Sequence, residues 1–237
     1  MTFGLPHRHY RVTDSTNTRA RELVAAGAPG GTVVTAREQT AGRGRVGRVW
    51  TAPEGKALLY SAILRPLDER HLLLPLSVPL AVCAAAEALR PGIECQVKWP
   101  NDIWLEARKL SGILIEARPQ DGWAVIGIGL NLSIAPEEFP ADLRQPAISL
   151  FGATAESPPT PSTAAVVLSR HLDHWVYAAE DEVRAEWRRR DGLLGREVAW
   201  ENGSGVADGI DDRGNLVVVV SSGDRVSLGA GEVQLRL

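Results

Sequence analysis

The residues best placed to do chemistry lie between Thr40 and Trp50. There Gly42, Gly44 and Gly47 alternate with Arg43, Arg45 and Arg48, and a tryptophan closes the run. Glycine lets backbone N–H groups approach a ligand and reaches φ > 0 without strain. Arginine adds forked, permanently charged donors matched to carboxylate and phosphate oxygens. Such a loop suits an anion. The same composition also serves a solvated basic loop or a segment that binds single-stranded nucleic acid, so the loop alone leaves three readings open.

Two lysines interrupt apolar strand patterns. Lys98 precedes Trp99-Pro100-Asn101-Asp102, and Lys109 precedes Leu110-Ser111-Gly112-Ile113-Leu114-Ile115. An ammonium inside a buried meander needs a partner, whereas at the surface it snorkels to water. Gly112, Gly127 and Gly129 fall inside strand patterns. Glycine weakens a ladder there unless a backbone or ligand comes close, or a bulge forms. Several such glycines on one sheet face would make a slot for a flat ligand. A protein nucleophile is not indicated, because the chain has neither Gly-x-Ser-x-Gly nor a placed Cys–His pair. A Walker-type phosphate loop is also absent from the sequence. His171 and His174 lack the Glu or Cys companions of a zinc site. With His7, His9 and His71 they read as surface histidines, and no all-protein metal site is expected.

The elements that must hold these residues follow from pattern. Tyr10 and Val12 suggest an edge strand. Asp14-Ser15-Thr16-Asn17 offers cap chemistry ahead of a helix over 19–26, stopped by Gly27 and Pro29-Gly30-Gly31. Thr32–Ala36 is a β-branched strand that delivers the chain into Gln39 and the Gly/Arg loop. A strand over 57–64, an apolar helix over 76–89 and a strand over 94–99 come next. Runs at 103–106, 109–118 and 123–132 are separated by short turns at Ala107-Arg108 and Gln120-Asp121-Gly122. This spacing predicts an antiparallel meander and disfavours a dinucleotide-binding βαβ fold. Residues 135–162 read as irregular connection, and 163–190 as one helix or two with a break at Ala178-Ala179. From Arg196 on, five strand-like runs separated by Asn202-Gly203, Asp208-Gly209, Arg213-Gly214-Asn215 and Ser222-Gly223-Asp224 predict a small β-barrel. A unit of about 40 residues is marginal alone and is expected to pack on the main domain.

Composition bounds the rest. The formal net charge of −3, with 26 Lys and Arg against 29 Asp and Glu, argues against a general nucleic-acid binder. Two cysteines, Cys83 and Cys95, in apolar surroundings imply no disulfide framework. The N-terminus has no continuous apolar stretch of a signal peptide, and Leu72–Leu89 is interrupted by Pro75, Pro79 and Glu87. A soluble, cytoplasmic protein is expected.

Taken in order, five motifs resemble the biotin protein ligases. They are Asp14-Ser15-Thr16-Asn17, Glu38 to Trp50, Lys98-Trp99-Pro100-Asn101-Asp102, Lys109-Leu110-Ser111-Gly112-Ile113-Leu114-Ile115-Glu116 and Gly127-Ile128-Gly129-Leu130-Asn131-Leu132. The likeness runs from Asp14 to Leu132 and continues more weakly through Trp187 and the C-terminal barrel. It implies an α+β fold: a mixed, mostly antiparallel sheet flanked by helices, like the class II aminoacyl-tRNA-synthetase and biotin-ligase catalytic domain, over 1–191. A small SH3-like β-barrel over 192–237 would follow.

The resemblance further implies a two-step, AMP-forming reaction. Biotin carboxylate attacks the α-phosphate of ATP, and a lysine amine of a carboxylase carrier domain then takes the biotinyl group. No protein nucleophile is needed for either step. By this likeness Ser15, Thr16, Asn17 and Gln39 would bind biotin, with Gly42, Gly112, Gly127, Gly129 and Leu130 shaping its pocket. Arg43 and Arg45 would clamp carboxylate and phosphate, and Lys109 would meet the charge between them. Arg48 would serve the triphosphate, and Trp50, Asn101 and Asn131 the nucleotide. Asp102 would orient or deprotonate the acceptor lysine. Mg²⁺ would travel with ATP. Partners would be the carrier protein and neither DNA nor membrane, since the segment before Thr13 is too short for the helix-turn-helix domain of the family's repressors. An exposed sheet edge could pair two copies, or the chain could act as a monomer. A lipoate or octanoate ligase or transferase of the same superfamily is the alternative. Ser15, Thr16 and Gln39 speak against it, because an aliphatic dithiolane has no ureido group to bond.

Overall fold

A computed structural model describes residues 2–143, 145–152 and 157–230. Strand β1 (His7–Thr13) lies at a sheet edge, parallel to β2 (Val33–Gln39), with helix α1 (Thr16–Ala25) making the crossover. Every other pairing between strands is antiparallel. The run 57–64 is β3 (Ala57–Leu64), followed along the chain by β4 (Gln96–Lys98), β5 (Asp102–Leu105), β6 (Arg108–Arg118) and β7 (Trp123–Asn131). Together they form a seven-stranded sheet in the order β1-β2-β3-β7-β6-β5-β4.

The central strand β3 is buried along its whole length because both faces are covered. Leu58, Tyr60, Ala62 and Leu64 enter the main core with α2 (Leu74–Leu89) and α3 (Pro161–Trp175). On the opposite face Ile63 packs against Ala20 and Val24 of α1, and Leu59 packs against Ala36 and Ile134. Helix α2 starts earlier than its apolar run suggests, since a proline in the first turn gives up an N–H that has no partner there. The stretch 163–190 resolves into α3 and α4 (Glu180–Arg189), broken before Glu180. Acidic residues in the first turn of α4 and arginines in its last match the helix dipole.

Several expectations change in detail. The turn before β6 is Glu106-Ala107, not Ala107-Arg108. Both central residues have positive φ (54° and 57°), as a two-residue hairpin with right-handed strand twist requires. The strand expected over 94–99 is only three residues long. Asp208-Gly209 is not a turn: β9 (Gly203–Ile210) runs through it. Gly209 sits at φ 93°, where the register to the next strand shifts. With β8 (Glu197–Trp200), β10 (Leu216–Val219) and β11 (Arg225–Leu228), four strands rather than five occur among the described residues. The terminal part of the last expected run, Gly231 to Leu237, lies outside the described residues.

The small sheet does not stand alone. Leu216, Val218 and Leu228 share one core with the main sheet, and the buried Trp99 donates its Nε1–H to the Gly214 carbonyl at 3.0 Å. His71 is buried rather than at the surface. Its Nδ1 accepts from the Asp68 N–H at 3.2 Å and its ring meets Tyr177 edge-on. Among the described residues, no helix is long and apolar enough to cross a membrane.

Candidate active site

Register assembles the site. Residues directly opposite one another in neighbouring antiparallel strands point to the same face. One such row crosses the sheet as Ala36, Leu59, Gly129, Gly112, Asp102 and Lys98. The next row on that face is Val34, Ser61, Gly127 and Leu114. The three glycines therefore share one surface, the one that α1 flanks.

Each glycine makes room for a particular side chain. A Cβ on Gly127 would lie 2.1 Å from Asn17 Oδ1. A Cβ on Gly129 would lie 2.3 Å from the Trp50 indole, and one on Gly112 would lie 2.9 Å from it. The flat group in the slot is thus the tryptophan carried in by the Gly/Arg loop. Trp50 fills so much of the cleft that the cavity beneath the loop has a volume of about 100 Å³. Sites for small molecules run from roughly 300 Å³ upward. The Trp50 Nε1–H is buried with no partner among the described residues, so one hydrogen-bond donor faces this cleft unused.

Lys109 reaches the same face through a bulge. Ile103 pairs with Ser111 but Trp104 pairs with Lys109, leaving Leu110 as the extra residue. Without that shift Leu110, which is fully buried in the core, would take the place of the lysine. The bulge sets Lys109 Nζ 2.6 Å from Asp102 Oδ1 and 5.7 Å from the centroid of the Trp50 ring. Lys98 pairs across from Asp102 and is held differently. Its Nζ donates to Gln145 Oε1 at 2.7 Å, and Gln145 Nε2 donates to Asp102 Oδ2 at 2.7 Å. Burial pushes the Lys98 ammonium below its ordinary range, Asp102 opposing this and Lys109 and Arg48 adding to it.

The far wall comes from α1. Ser15 stands at the N-cap, yet its side chain makes no capping hydrogen bond, so simple capping does not account for Asp14 to Asn17. Instead Thr16 turns inward: its backbone N–H and its hydroxyl donate to Gln39 Oε1 at 2.7 and 3.0 Å. Ser61 Oγ lies 2.8 Å from Thr16 Oγ1 and 2.6 Å from Asn17 Oδ1. Asn17 in turn donates to Glu116 at 2.8 Å. Ser15, Thr16, Asn17 and Ser61 are all nearly buried, which makes this a fixed polar patch.

The Gly/Arg loop is a finger that closes on itself. Arg43 bridges to Val49, Gly44 N–H donates to Arg48 O at 2.7 Å, and Trp50 N–H donates to Gly42 O at 3.0 Å. Gly42 is needed at its base, where a Cβ would come within 2.2 Å of the Trp50 carbonyl oxygen. Val46 at the tip has φ 53°, a strained conformation for a β-branched residue. Arg43 pairs with Glu116 at 3.1 Å, and Arg45 donates to the Ala230 carbonyl beside the small sheet. Burial lowers the Arg45 guanidinium from its ordinary value, Asp102 opposing and Arg48 reinforcing. Arg48 is exposed.

Two family models match the chain: "Biotin/lipoate A/B protein ligase family" over residues 9–133 and "Biotin protein ligase C terminal domain" over 193–236. The chain belongs to the biotin/lipoate A/B protein ligase family. It is 36% identical to the biotin–[acetyl-CoA-carboxylase] ligase of Mycobacterium tuberculosis, covering 91% of this chain and 86% of that one. The bifunctional ligase/repressor BirA of Bacillus subtilis is 34% identical, over 91% of this chain and 70% of its own length. The biotin protein ligase of Aquifex aeolicus, solved with biotin and ATP, superposes with a TM-score of 0.80 at 28% identity, over 98% of this chain and 99% of that one.

In this ligase, Ser15, Thr16, Asn17, Gln39, Arg43, Arg45, Arg48, Trp50, Asn101, Asp102, Lys109, Gly112, Gly127 and Gly129 all line the one cleft. Leu130 does not: alternation turns its side chain to the opposite face, into the core. Asn131 is not among the residues lining this cavity, although alternation puts it on the same face as Gly129, and its amide donates to the Ile148 carbonyl at 3.1 Å. Glu116, Ser61 and Gln145 join the site although nothing in their local pattern marks them as ligand-binding. Glu116 closes a motif on a strand, and only its position opposite Asn17 and Arg43 shows what it holds.

Proposed function

We propose that the chain is a biotin protein ligase that activates biotin with ATP and passes it to a lysine of a carboxylase's biotin carboxyl carrier domain. The observation that carries this reading is the row Gly129, Gly112, Asp102, Lys98 with Lys109 bulged onto the same face, opposite the buried Thr16 and Asn17 and the half-buried Gln39. It combines a fixed hydrogen-bonding end, an apolar slot and a cationic end in one cleft, as a neutral ureido ring, an aliphatic chain and a carboxylate need.

In the first step a biotin carboxylate oxygen attacks the α-phosphorus of Mg-ATP, and the bond to pyrophosphate breaks. Charge accumulates on the non-bridging oxygens, and Lys109 with Arg43 and Arg45 neutralises it at short range. Arg48 meets the departing pyrophosphate from the exposed side of the loop. Arg43 leaves Glu116 and Trp50 shifts from its glycine seat to admit ligands, so the loop closes anew over biotinyl-5′-AMP. In the second step the acceptor lysine nitrogen attacks the acyl carbon, the bond to AMP oxygen breaks, and AMP leaves. A free lysine is mostly protonated at neutral pH, and Asp102 is the carboxylate that accepts or orients that proton. Thr16, Gln39, Ser15 and Asn17 fix the ureido ring throughout.

Mass spectrometry of the protein with Mg-ATP and either biotin or lipoate tests this. Biotinyl-AMP that requires both substrates is the expected product. A lipoyl adenylate in its place would move the chain to the sister branch of the family.

A further inference from the structure

Gln145 lies in the irregular stretch after β7, outside every motif, and its amide spans two opposite charges. Its Oε1 accepts from Lys98 Nζ at 2.7 Å and its Nε2 donates to Asp102 Oδ2 at 2.7 Å. That orientation is forced: an ammonium only donates and a carboxylate only accepts, so a flipped amide would lose both bonds. Lys109 holds the other carboxylate oxygen at 2.6 Å. Both oxygens of Asp102 are therefore occupied, one by a lysine and one by an amide anchored on a second lysine. Lys98 is itself kept in place, with its Nζ 5.4 Å from the centroid of the Trp104 ring. Arg45 and Arg48 are the other charges that face this group, from the loop above it.

The two tethers differ in what else they must do. On the ligase reading, Lys109 divides its ammonium between Asp102 and the substrate's carboxyl–phosphoryl junction. Gln145 is not among the residues that line the cleft. We propose that Gln145 is a positioning residue for acyl transfer, keeping Asp102 aimed at the incoming amine while Lys109 serves the adenylate. This inference rests on the ligase reading and on Asp102 acting in the second step. Glutamine alone suits the position: asparagine is one methylene shorter, glutamate sets a carboxylate against Asp102, and methionine of similar length carries no donor.

The test follows biotin transfer from preformed biotinyl-5′-AMP to a carrier domain, with pyrophosphate release measured separately, in the full chain. For Gln145→Met, kcat of transfer is expected to fall about tenfold, the size of coupling found in a shared hydrogen-bond network. Its melting temperature, KM for the carrier and pyrophosphate release stay near those of the parent. Gln145→Glu, which keeps a partner for Lys98, remains equally slow. The double variant Gln145→Met/Asp102→Asn is no slower than Asp102→Asn alone. Full rescue by Gln145→Glu would reduce the residue to an anchor for Lys98 and overturn the inference. So would parental transfer by Gln145→Met beside an impaired Asp102→Asn, or additive losses in the double variant. Parental transfer by Asp102→Asn would instead overturn the assignment of Asp102, and the absence of any biotinyl adenylate would overturn the ligase reading itself.

Discussion

The Trp50 indole lies so close to Gly129 that a Cβ on the glycine would stand 2.3 Å from its ring. Gly112, directly across the strand pair, supports the same ring, and Lys109 approaches it at 5.7 Å. Two glycines in register thus form the seat for one side chain from a loop, and through that seat the sheet and the loop act as one site.

Gly129→Ala is expected to keep its strand, since alanine costs a β-ladder nothing that glycine did not, but to unseat Trp50. Pyrophosphate release should slow at least tenfold, because the same methyl raises the floor on which the ligands lie once Trp50 has moved aside, and a displacement of about 1 Å near reacting groups can cost more than that. Gly127→Ala strikes Asn17 instead and should show mainly as a raised KM for biotin. Equal kinetics in both variants and the parent would sink the seat.

Much of this was legible from residue type. Glycine in a strand signals close approach, and here the approach is real at Gly112, Gly127 and Gly129. A lysine in an apolar strand signals a partner, and both Lys98 and Lys109 have one. What escaped is what depends on register or long range. Leu110 looks like any apolar strand residue, yet its bulge is what turns Lys109 toward Asp102. Leu130 follows Gly129 in a motif, but alternation sends it to the other face. Gln145 acts 43 positions from Asp102, and no local pattern carries that pairing. Asp208-Gly209 has turn chemistry, and the same positive φ serves a bulge equally well.

Arg45 is half-buried and its guanidinium is bonded to a backbone carbonyl beside the small sheet. Arg45→Ala should leave the fold intact while adenylate forms more slowly or escapes faster. A charge-assisted hydrogen bond of about 1.5–3 kcal/mol corresponds to roughly 10- to 100-fold. Pyrophosphate release and retention of biotinyl-AMP on the protein measure the two outcomes, and parental values for both would refute the clamp.

Glu116 joins the pocket to the loop by accepting from Asn17 at 2.8 Å and pairing with Arg43 at 3.1 Å. Glu116→Ala frees both. The loop of the ligand-free protein should then be cut faster by trypsin, and KM for biotin should rise severalfold as Asn17 loses its anchor. Biotin with ATP should protect the loop in the parent. Identical cleavage with and without ligands would show that the loop does not close.

Lys109→Ala removes the cation at the glycine-lined floor and leaves Asp102 bonded to Gln145 alone. The first half-reaction should fall below detection, because the phosphoryl charge loses its nearest point charge. Normal pyrophosphate release in this variant would assign that work elsewhere.

Acid stability should depend on the foot of α4. Glu186 accepts from Arg189 at 2.9 and 2.7 Å and from the buried Arg190 at 2.6 Å. The bonds from Arg189 first, against the cost of burial, and then those from Arg190 hold its carboxyl down at about 2, against an ordinary value of 4.5. A carboxyl depressed in the folded state stabilises the fold above its unfolded value, and that stabilisation disappears as pH falls through the folded value. The contribution should thus be complete above pH 4.5 and be lost between there and about pH 2. Arg190 transmits the effect, since it also grips Glu87 on α2 at 2.5 and 2.8 Å and the Cys95 carbonyl at 3.1 Å. Melting temperature measured from pH 7 down to pH 2 should fall steeply in that window for the parent. Glu186→Gln should start lower at neutral pH and fall less, and parallel curves for the two proteins would rule the group out as a source of acid lability.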